Sequence, residues 1–141
     1  MRIVLDTNVW VSGLLSPYGP PAEVVGMVVA GAVTLCVDAR ILVEYEQVLA
    51  RPRFGFAQDA VAALIGFVEA ESLHVAATPW TEALPDPDDA PFLEVALAGG
   101  AACLVTGNVV QFPKRARGGV LVRTPAEFVA WVRVGGGREG F

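Results

Sequence analysis

The chain has 141 residues, of which 54% are hydrophobic and 18% charged, and its formal net charge is −5. This composition excludes a disordered or low-complexity chain, and the length suits one domain with a sizeable core. The charge is divided unevenly, with −9 over residues 1–110 and +4 over residues 111–141. An acidic body argues against a broad basic face that binds long duplex nucleic acid.

Neither a membrane span nor a secretory leader is expected. The longest apolar stretch covers residues 24–37, whereas crossing a bilayer takes roughly 20 residues. Asp6 interrupts the first apolar segment, and no cleavage pattern follows it. We therefore expect a cytoplasmic protein. Cys36 and Cys103 are expected to be buried free thiols, and His74, the only histidine, is expected to be structural.

Apolar runs and turn signals alternate along the chain in a strand–helix order. Strands are predicted at residues 2–5, 33–37, 73–76, 103–105 and 120–122. Helices are predicted at 21–30, 39–50, 57–71, 91–98 and 125–132, with a proline-rich loop at 12–21 and Asp38 as a helix cap. This order predicts an α/β fold, with a mainly parallel five-stranded sheet in a three-layer α/β/α arrangement. Residues 1–135 are predicted to form one domain, followed by a flexible tail at 136–141.

Polar residues follow two of the predicted strands. The sequence Asp-Thr-Asn at 6–8 follows the first strand, and Thr-Gly-Asn at 106–108 follows the fourth. An acidic loop at 86–89 comes before the fourth strand. If these two strands are neighbours at the switch point of the sheet, their carboxyl ends share one crevice. Glu44, on the helix after the second strand, can point into that crevice from the side.

Asp6, Glu44 and Asp89 form a candidate site made of oxygen ligands alone. Such ligands suit Mg²⁺ or Mn²⁺, and these ions support phosphodiester hydrolysis by activating water and stabilising the leaving oxygen. Without a cation, clustered carboxylates would repel one another. Structural alternatives stay open here: Asp6 and Asp89 as helix caps, Asp86 as a solvated loop residue, and Glu44 on an exposed helix face.

Several segments together carry a resemblance to a known family. They are Ile-Val-Leu-Asp-Thr-Asn-Val at 3–9, Glu44, Asp-Pro-Asp-Asp-Ala-Pro-Phe-Leu-Glu-Val-Ala-Leu at 86–97, Leu-Val-Thr-Gly-Asn at 104–108 and Thr-Pro-Ala-Glu-Phe-Val at 124–129. In this order they resemble the PIN domain, most closely the PIN-family toxins of prokaryotic toxin–antitoxin systems, which are related to the VapC toxins. The resemblance implies a Rossmann-like fold and Mg²⁺- or Mn²⁺-dependent cleavage of single-stranded RNA, with one or two ions per site.

The resemblance also implies roles for individual residues. Asp6 and Asp89 match the central metal-binding acids of the family, and Glu44 matches the acid on the helix after the second strand. Asn108 falls where many members have a fourth Asp. The residues expected to support the site are Thr7, Asn8, Thr106 and Asp86. A homodimer and a separate antitoxin protein are the partners that the family implies.

Asn108 departs from the family pattern, because an amide offers a carbonyl ligand without a charge. A second metal would be bound less tightly, and Asp86 is a candidate to compensate. The basic residues that are candidates to contact the RNA backbone are Arg40, Arg51, Arg53, Lys114, Arg115 and Arg117.

Two other functions compete with the nuclease. The first is a nucleic-acid- or protein-binding module that keeps the fold and has weak or no turnover, and Asn108 keeps it open. The second is a phosphatase or a phospho-acceptor receiver, since both place Asp at strand ends. A phosphatase needs a second acid where this chain has Asn8, and Lys114 is poorly placed for a receiver.

Overall fold

A computed structural model describes residues 1–136 of the chain. Its strands are β1 (Arg2–Leu5), β2 (Thr34–Val37), β3 (Leu73–His74), β4 (Cys103–Val105) and β5 (Val122–Arg123). Its helices are α1 (Thr7–Leu15), α2 (Pro20–Val29), α3 (Ala39–Leu49), α4 (Gln58–Glu71), α5 (Ala90–Gly99) and α6 (Pro125–Arg133). Apart from residue 136, the predicted tail at 136–141 lies outside the described residues.

The five strands form one sheet in the order β3-β2-β1-β4-β5, and every pairing among residues 1–136 is parallel. The predicted α/β class and three-layer arrangement are confirmed. Ile3 pairs with Cys103 and Leu5 with Val105, so β1 and β4 end at the same level. The strand order reverses between these two strands, which confirms that they are neighbours at the switch point.

The predicted loop at 12–21 is wrong at both ends, because α1 continues to Leu15 and α2 already begins at Pro20. Gly13 explains why the chain stays helical through this region. A Cβ at Gly13 would lie 2.7 Å from Val25 Cγ2 and 2.8 Å from the Pro21 carbonyl oxygen. The missing side chain lets α1 approach α2 closely, and this packing offsets the low helix propensity of glycine.

Three strands differ from their predicted bounds, and the smallest difference is in β2, which begins at Thr34 rather than at residue 33. β3 has two residues rather than four, and β5 begins at Val122 rather than at residue 120. The residues before Val122 belong to a turn at two glycines with positive φ, Gly118 and Gly119. Asp38 caps α3 as predicted, since its Oδ1 accepts a 3.0 Å hydrogen bond from the Ile41 N–H.

The core lies between the sheet and the helices. Ile3, Val4 and Leu5 of β1 are completely buried, as expected for a central strand that is covered on both faces. Cys36 and Cys103 are buried free thiols, as predicted, and burial raises the pKa of Cys103 to about 12. No helix among residues 1–136 is long and apolar enough to cross a membrane.

Candidate active site

A cleft of about 420 Å³ opens at the carboxyl ends of the central strands. Its floor contains Asp6, which directly follows β1, and Glu44 from α3 forms part of its wall. The other lining residues are Thr7, Asn8, Val11, Ser12, Val48, Arg51, Arg53 and Phe54. The predicted approach of Glu44 to the crevice from the side is therefore confirmed.

Asp6 is 7% exposed and is held by the neighbouring strand. Its backbone N–H donates to the Val105 carbonyl at 2.9 Å, and Thr106 Oγ1 donates to its Oδ2 at 2.7 Å. It occupies the N-cap position of α1 without a side-chain cap hydrogen bond. Burial raises the pKa of Asp6, which outweighs the opposite effect of the Thr106 hydrogen bond. The backbone N–H groups of Asn8 and Thr7 also lower its pKa, as the start of a helix does for a nearby carboxylate.

Glu44 faces Asp6 across the cleft. Thr7 Oγ1 donates a hydrogen bond to Glu44 Oε2, which connects the first turn of α1 to α3. The other carboxylate oxygen of Glu44 has no hydrogen-bond partner among residues 1–136. The negative charge of Glu44 contributes to the raised pKa of Asp6, so the two carboxylates repel each other.

Asp89 completes the acidic set. It is the last residue of a 3₁₀ turn, Pro87–Asp89, that leads into α5. Its pKa is raised to about 7, first by burial and then by the negative charges of Asp6, Asp86 and Glu44. Asp89 stands at the N-cap of α5 but makes no side-chain cap hydrogen bond. The negative charges of Asp6 and Glu44 thus oppose the ionisation of Asp89.

The backbone after β4 fixes the rim of the site. The Gly107 N–H donates to Asn8 Oδ1 at 3.1 Å, and the Asn108 N–H donates to Thr106 Oγ1 at 3.0 Å. Thr106 therefore accepts a hydrogen bond while it donates one to Asp6. Asn108 is exposed beside these contacts. These contacts place Asn8, Thr106 and the backbone of Asn108 beside Asp6 at the end of β4.

A family model for the PIN domain matches residues 2–110 of the chain. The chain belongs to the PIN domain family. PIN domains are generally nucleases, which are hydrolases, and they generally use divalent metals. No curated protein and no solved structure gives a significant match. The matched segment contains Asp6 and Glu44, which line the cleft, and Asp89, which does not.

The acidic set of this PIN domain suits a hydrated divalent cation. Its donors are carboxylate and amide oxygens, and the mutual repulsion of the carboxylates is what a bound cation would relieve. No three His, Cys, Asp or Glu side chains among residues 1–136 lie close enough together to bind one ion directly. Mg²⁺ usually keeps several waters and binds one or two carboxylates. Asp6, Asp89 and Glu44 are the residues that would hold such a hydrated ion.

The other candidate residues of the PIN domain have different surroundings. Asp86 caps the 3₁₀ turn, because its Oδ1 accepts a 2.9 Å hydrogen bond from the Asp88 N–H. Arg40 forms 2.7 Å salt bridges with Asp38 and Glu94, whereas Arg51 lines the cleft. Lys114 and Arg115 belong to an exposed 3₁₀ turn and do not line the cleft. Their contacts with RNA stay predictions.

Sequence reasoning missed three residues around the site. Glu94 is buried, and it accepts hydrogen bonds from Arg40 and from the Trp80 N–H. A single acid inside the apolar helix at 90–99 was the available signal. Tyr45, fully buried, donates its OH to the Leu5 carbonyl next to Asp6. Phe54 lines the cleft, and the two arginines that flank Pro52 were its signal.

Proposed function

We propose that this PIN domain is an Mg²⁺- or Mn²⁺-dependent endoribonuclease that hydrolyses phosphodiester bonds of single-stranded RNA. One observation carries the proposal: the carboxylates of Asp6 and Glu44 line one cleft beyond the end of β1, and their negative charges help to raise the pKa of the nearby Asp89. A helix cap requires only one side-chain acceptor at the start of each helix. A cation site beside a substrate cleft, in contrast, uses carboxylates that lie close together.

Each residue has a distinct task in this proposal. Asp6 and Asp89 would bind the metal, which supplies an activated water and charge stabilisation at the phosphate. Thr106 keeps Asp6 oriented, and Thr7 keeps one oxygen of Glu44 in place. The second Glu44 oxygen faces the cleft region and is suited to accept a proton from water. Asn8 fixes the position of the β4 loop through Gly107.

The cleavage of a 5′-labelled single-stranded RNA tests this proposal. Wild-type protein is incubated with and without Mn²⁺ and compared with Asp6→Asn, Asp89→Asn and the control Glu46→Gln. Glu46 is exposed on the same helix as Glu44 and does not line the cleft. Cleavage that needs Mn²⁺ and is lost only in the two Asp variants supports the nuclease. Cleavage that persists in both variants points to a contaminating enzyme and contradicts it.

We also propose that the nuclease is the toxin of a toxin–antitoxin pair and forms a homodimer. Besides the motif resemblance, exposed apolar side chains at the end of α1 support a protein partner, since Leu15 is 54% exposed and the nearby Tyr18 87%. A small open reading frame directly upstream, whose product suppresses the RNA cleavage, would support the toxin. A monomer in light scattering at micromolar concentration would contradict the dimer.

A second candidate function is a PIN-fold binding module with little or no turnover. Asn108 favours it, because the side chain at this position is neutral, whereas the resemblance implies a fourth Asp there in many members of the family. The cleavage assay separates the two functions, since a binding module retains RNA binding when no Mn²⁺-dependent product forms.

A further inference from the structure

The segment that follows α3 brings two arginines and one aromatic ring to the cleft. Arg51, Arg53 and Phe54 line the cleft together with Asp6 and Glu44. Pro52–Phe54 forms a 3₁₀ turn. Both arginines are exposed, and neither forms a salt bridge among residues 1–136. Their charges are therefore available to a ligand.

The aromatic rings of this segment stack on each other, and one of them packs against the core. The Arg53 guanidinium lies over the Phe54 ring, with its Cζ 4.8 Å from the ring centroid. The rings of Phe54 and Phe56 are stacked, with centroids 5.8 Å apart and an interplanar angle of 25°. Phe56 packs against the hydrophobic core. Gly55, with φ of +68°, supplies the left-handed conformation that ends the turn between the two rings.

Both carboxylates and arginines line the cleft, and this difference in charge determines where a phosphate backbone can bind. The carboxylates of Asp6 and Glu44 repel phosphates at their own side of the cleft. Among the described residues, Arg51 and Arg53 are the cations that line the cleft. A nucleic acid whose scissile phosphate reaches the carboxylates therefore has its neighbouring phosphate at the arginines.

We propose that Arg51–Phe54 is a subsite for one unpaired nucleotide next to the scissile phosphate. Arg51 binds the phosphate, and the base stacks on the guanidinium plane of Arg53, which the Phe54 ring supports from the other side. This inference rests on the proposed function, because both use the same cleft. A base within a duplex has its faces covered, so the subsite selects single strands. Stacking tolerates every base, so the subsite gives little sequence preference.

The binding of a fluorescein-labelled single-stranded RNA, measured by anisotropy in Ca²⁺ buffer with RNA integrity checked on a gel, tests the subsite. We expect Phe54→Leu, which removes the ring that supports the Arg53 guanidinium, to raise the Kd about tenfold, because the base loses its stacking surface. Phe54→Trp retains a stacking surface and should bind within about twofold of wild type. Arg51→Ala should lower the slope of log Kd against log salt by about one phosphate contact.

Two matched controls lie outside the cleft. Phe67 is a half-buried phenylalanine on α4 that lines a different cavity, and Arg133 is an exposed arginine at the end of α6 that pairs with Glu23. Phe67→Leu and Arg133→Ala should bind like wild type. Wild-type affinity in Phe54→Leu, equal weakening in Phe54→Trp, no binding by the wild type, or equal affinity for duplex and single-stranded RNA would each overturn the subsite.

The failure of the subsite and of the nuclease can be distinguished. Binding that depends on Phe54, without any Mn²⁺-dependent cleavage, supports the subsite and contradicts the nuclease. Mn²⁺-dependent cleavage with unchanged binding in Phe54→Leu supports the nuclease and overturns the subsite.

Discussion

Thr106 donates a 2.7 Å hydrogen bond from Oγ1 to Oδ2 of Asp6, and this contact joins the ends of two strands 100 residues apart in the sequence. The same hydroxyl accepts a hydrogen bond from the Asn108 N–H. The Thr106 side chain thus orients both the Asp6 carboxylate and the loop that carries Asn108. The hydroxyl also opposes the effect of burial on the pKa of Asp6.

Replacing Thr106 with Val tests this relationship, because Val keeps the shape and removes the hydroxyl. We expect the free energy of unfolding to fall by about 1–3 kcal/mol, since a buried carboxylate loses its partner. The pKa of Asp6 should rise further and Mn²⁺ affinity should weaken. Urea unfolding and Mn²⁺ titration measure these effects. Thr34→Val, at an exposed position in β2, serves as the control.

Because the pKa of Asp89 is raised, we expect the free energy of unfolding of the metal-free protein to depend on pH. Its pKa is about 7 in the folded protein, whereas the ordinary value for an aspartate is 3.8, so the folded state binds the proton more tightly. The free energy of unfolding should therefore fall as the pH rises through this window. Because Asp89 is only partly buried and its neighbours are screened by solvent, we expect a loss of about 1–2 kcal/mol.

Urea unfolding in EDTA at acid and at mildly alkaline pH measures this loss. Asp89→Asn cannot titrate and should show a smaller decrease than the wild type. An equal decrease in the two proteins would contradict the assignment of the raised pKa to Asp89.

Glu44→Gln keeps an acceptor for Thr7 and removes the charge. We expect RNA cleavage to fall about 10- to 100-fold, the range seen when a group beyond the direct metal ligands is lost. Glu46→Gln makes the same change on the same helix and should retain full activity. Comparable loss in both variants would show that the charge of the helix, rather than the position of Glu44, matters.

Asn108→Asp should strengthen the site, because a fourth carboxylate replaces a neutral amide at the end of β4. We expect cleavage to reach half its maximum at a lower Mn²⁺ concentration than in the wild type. Asn108→Ser changes the side chain without adding charge and should not show this shift. An unchanged Mn²⁺ requirement in Asn108→Asp would mean that the side chain at position 108 does not contribute to metal binding.

Much of the fold could be predicted because it depends on local signals. Continuous apolar runs indicated buried strands, and Asp38 correctly marked the start of α3. The end of α1 was missed because Gly13 and Ser12 suggest a loop in isolation. Only the approach of α2 makes glycine the suitable residue there. Helix packing of this kind is a tertiary effect that propensity does not contain.

The positions of site residues that directly follow a strand could be predicted from the sequence. Contacts between side chains of elements that are distant in the sequence could not. Asp6 and Thr106 follow neighbouring strands, so their proximity follows from topology. The salt bridges of Arg40 depend on the position of Glu94 on α5, which no local pattern fixes. The stacking of Arg53 on Phe54 likewise depends on how the short turn after α3 is oriented.

Calorimetric titration of Mn²⁺ tests most directly whether Asp6, Glu44 and Asp89 form a cation site, because it does not rely on nuclease activity. Wild type and Glu46→Gln should bind Mn²⁺ with equal affinity, and Asp6→Asn should bind at least about tenfold more weakly. Equal Mn²⁺ affinity in Asp6→Asn and wild type would contradict the cation site.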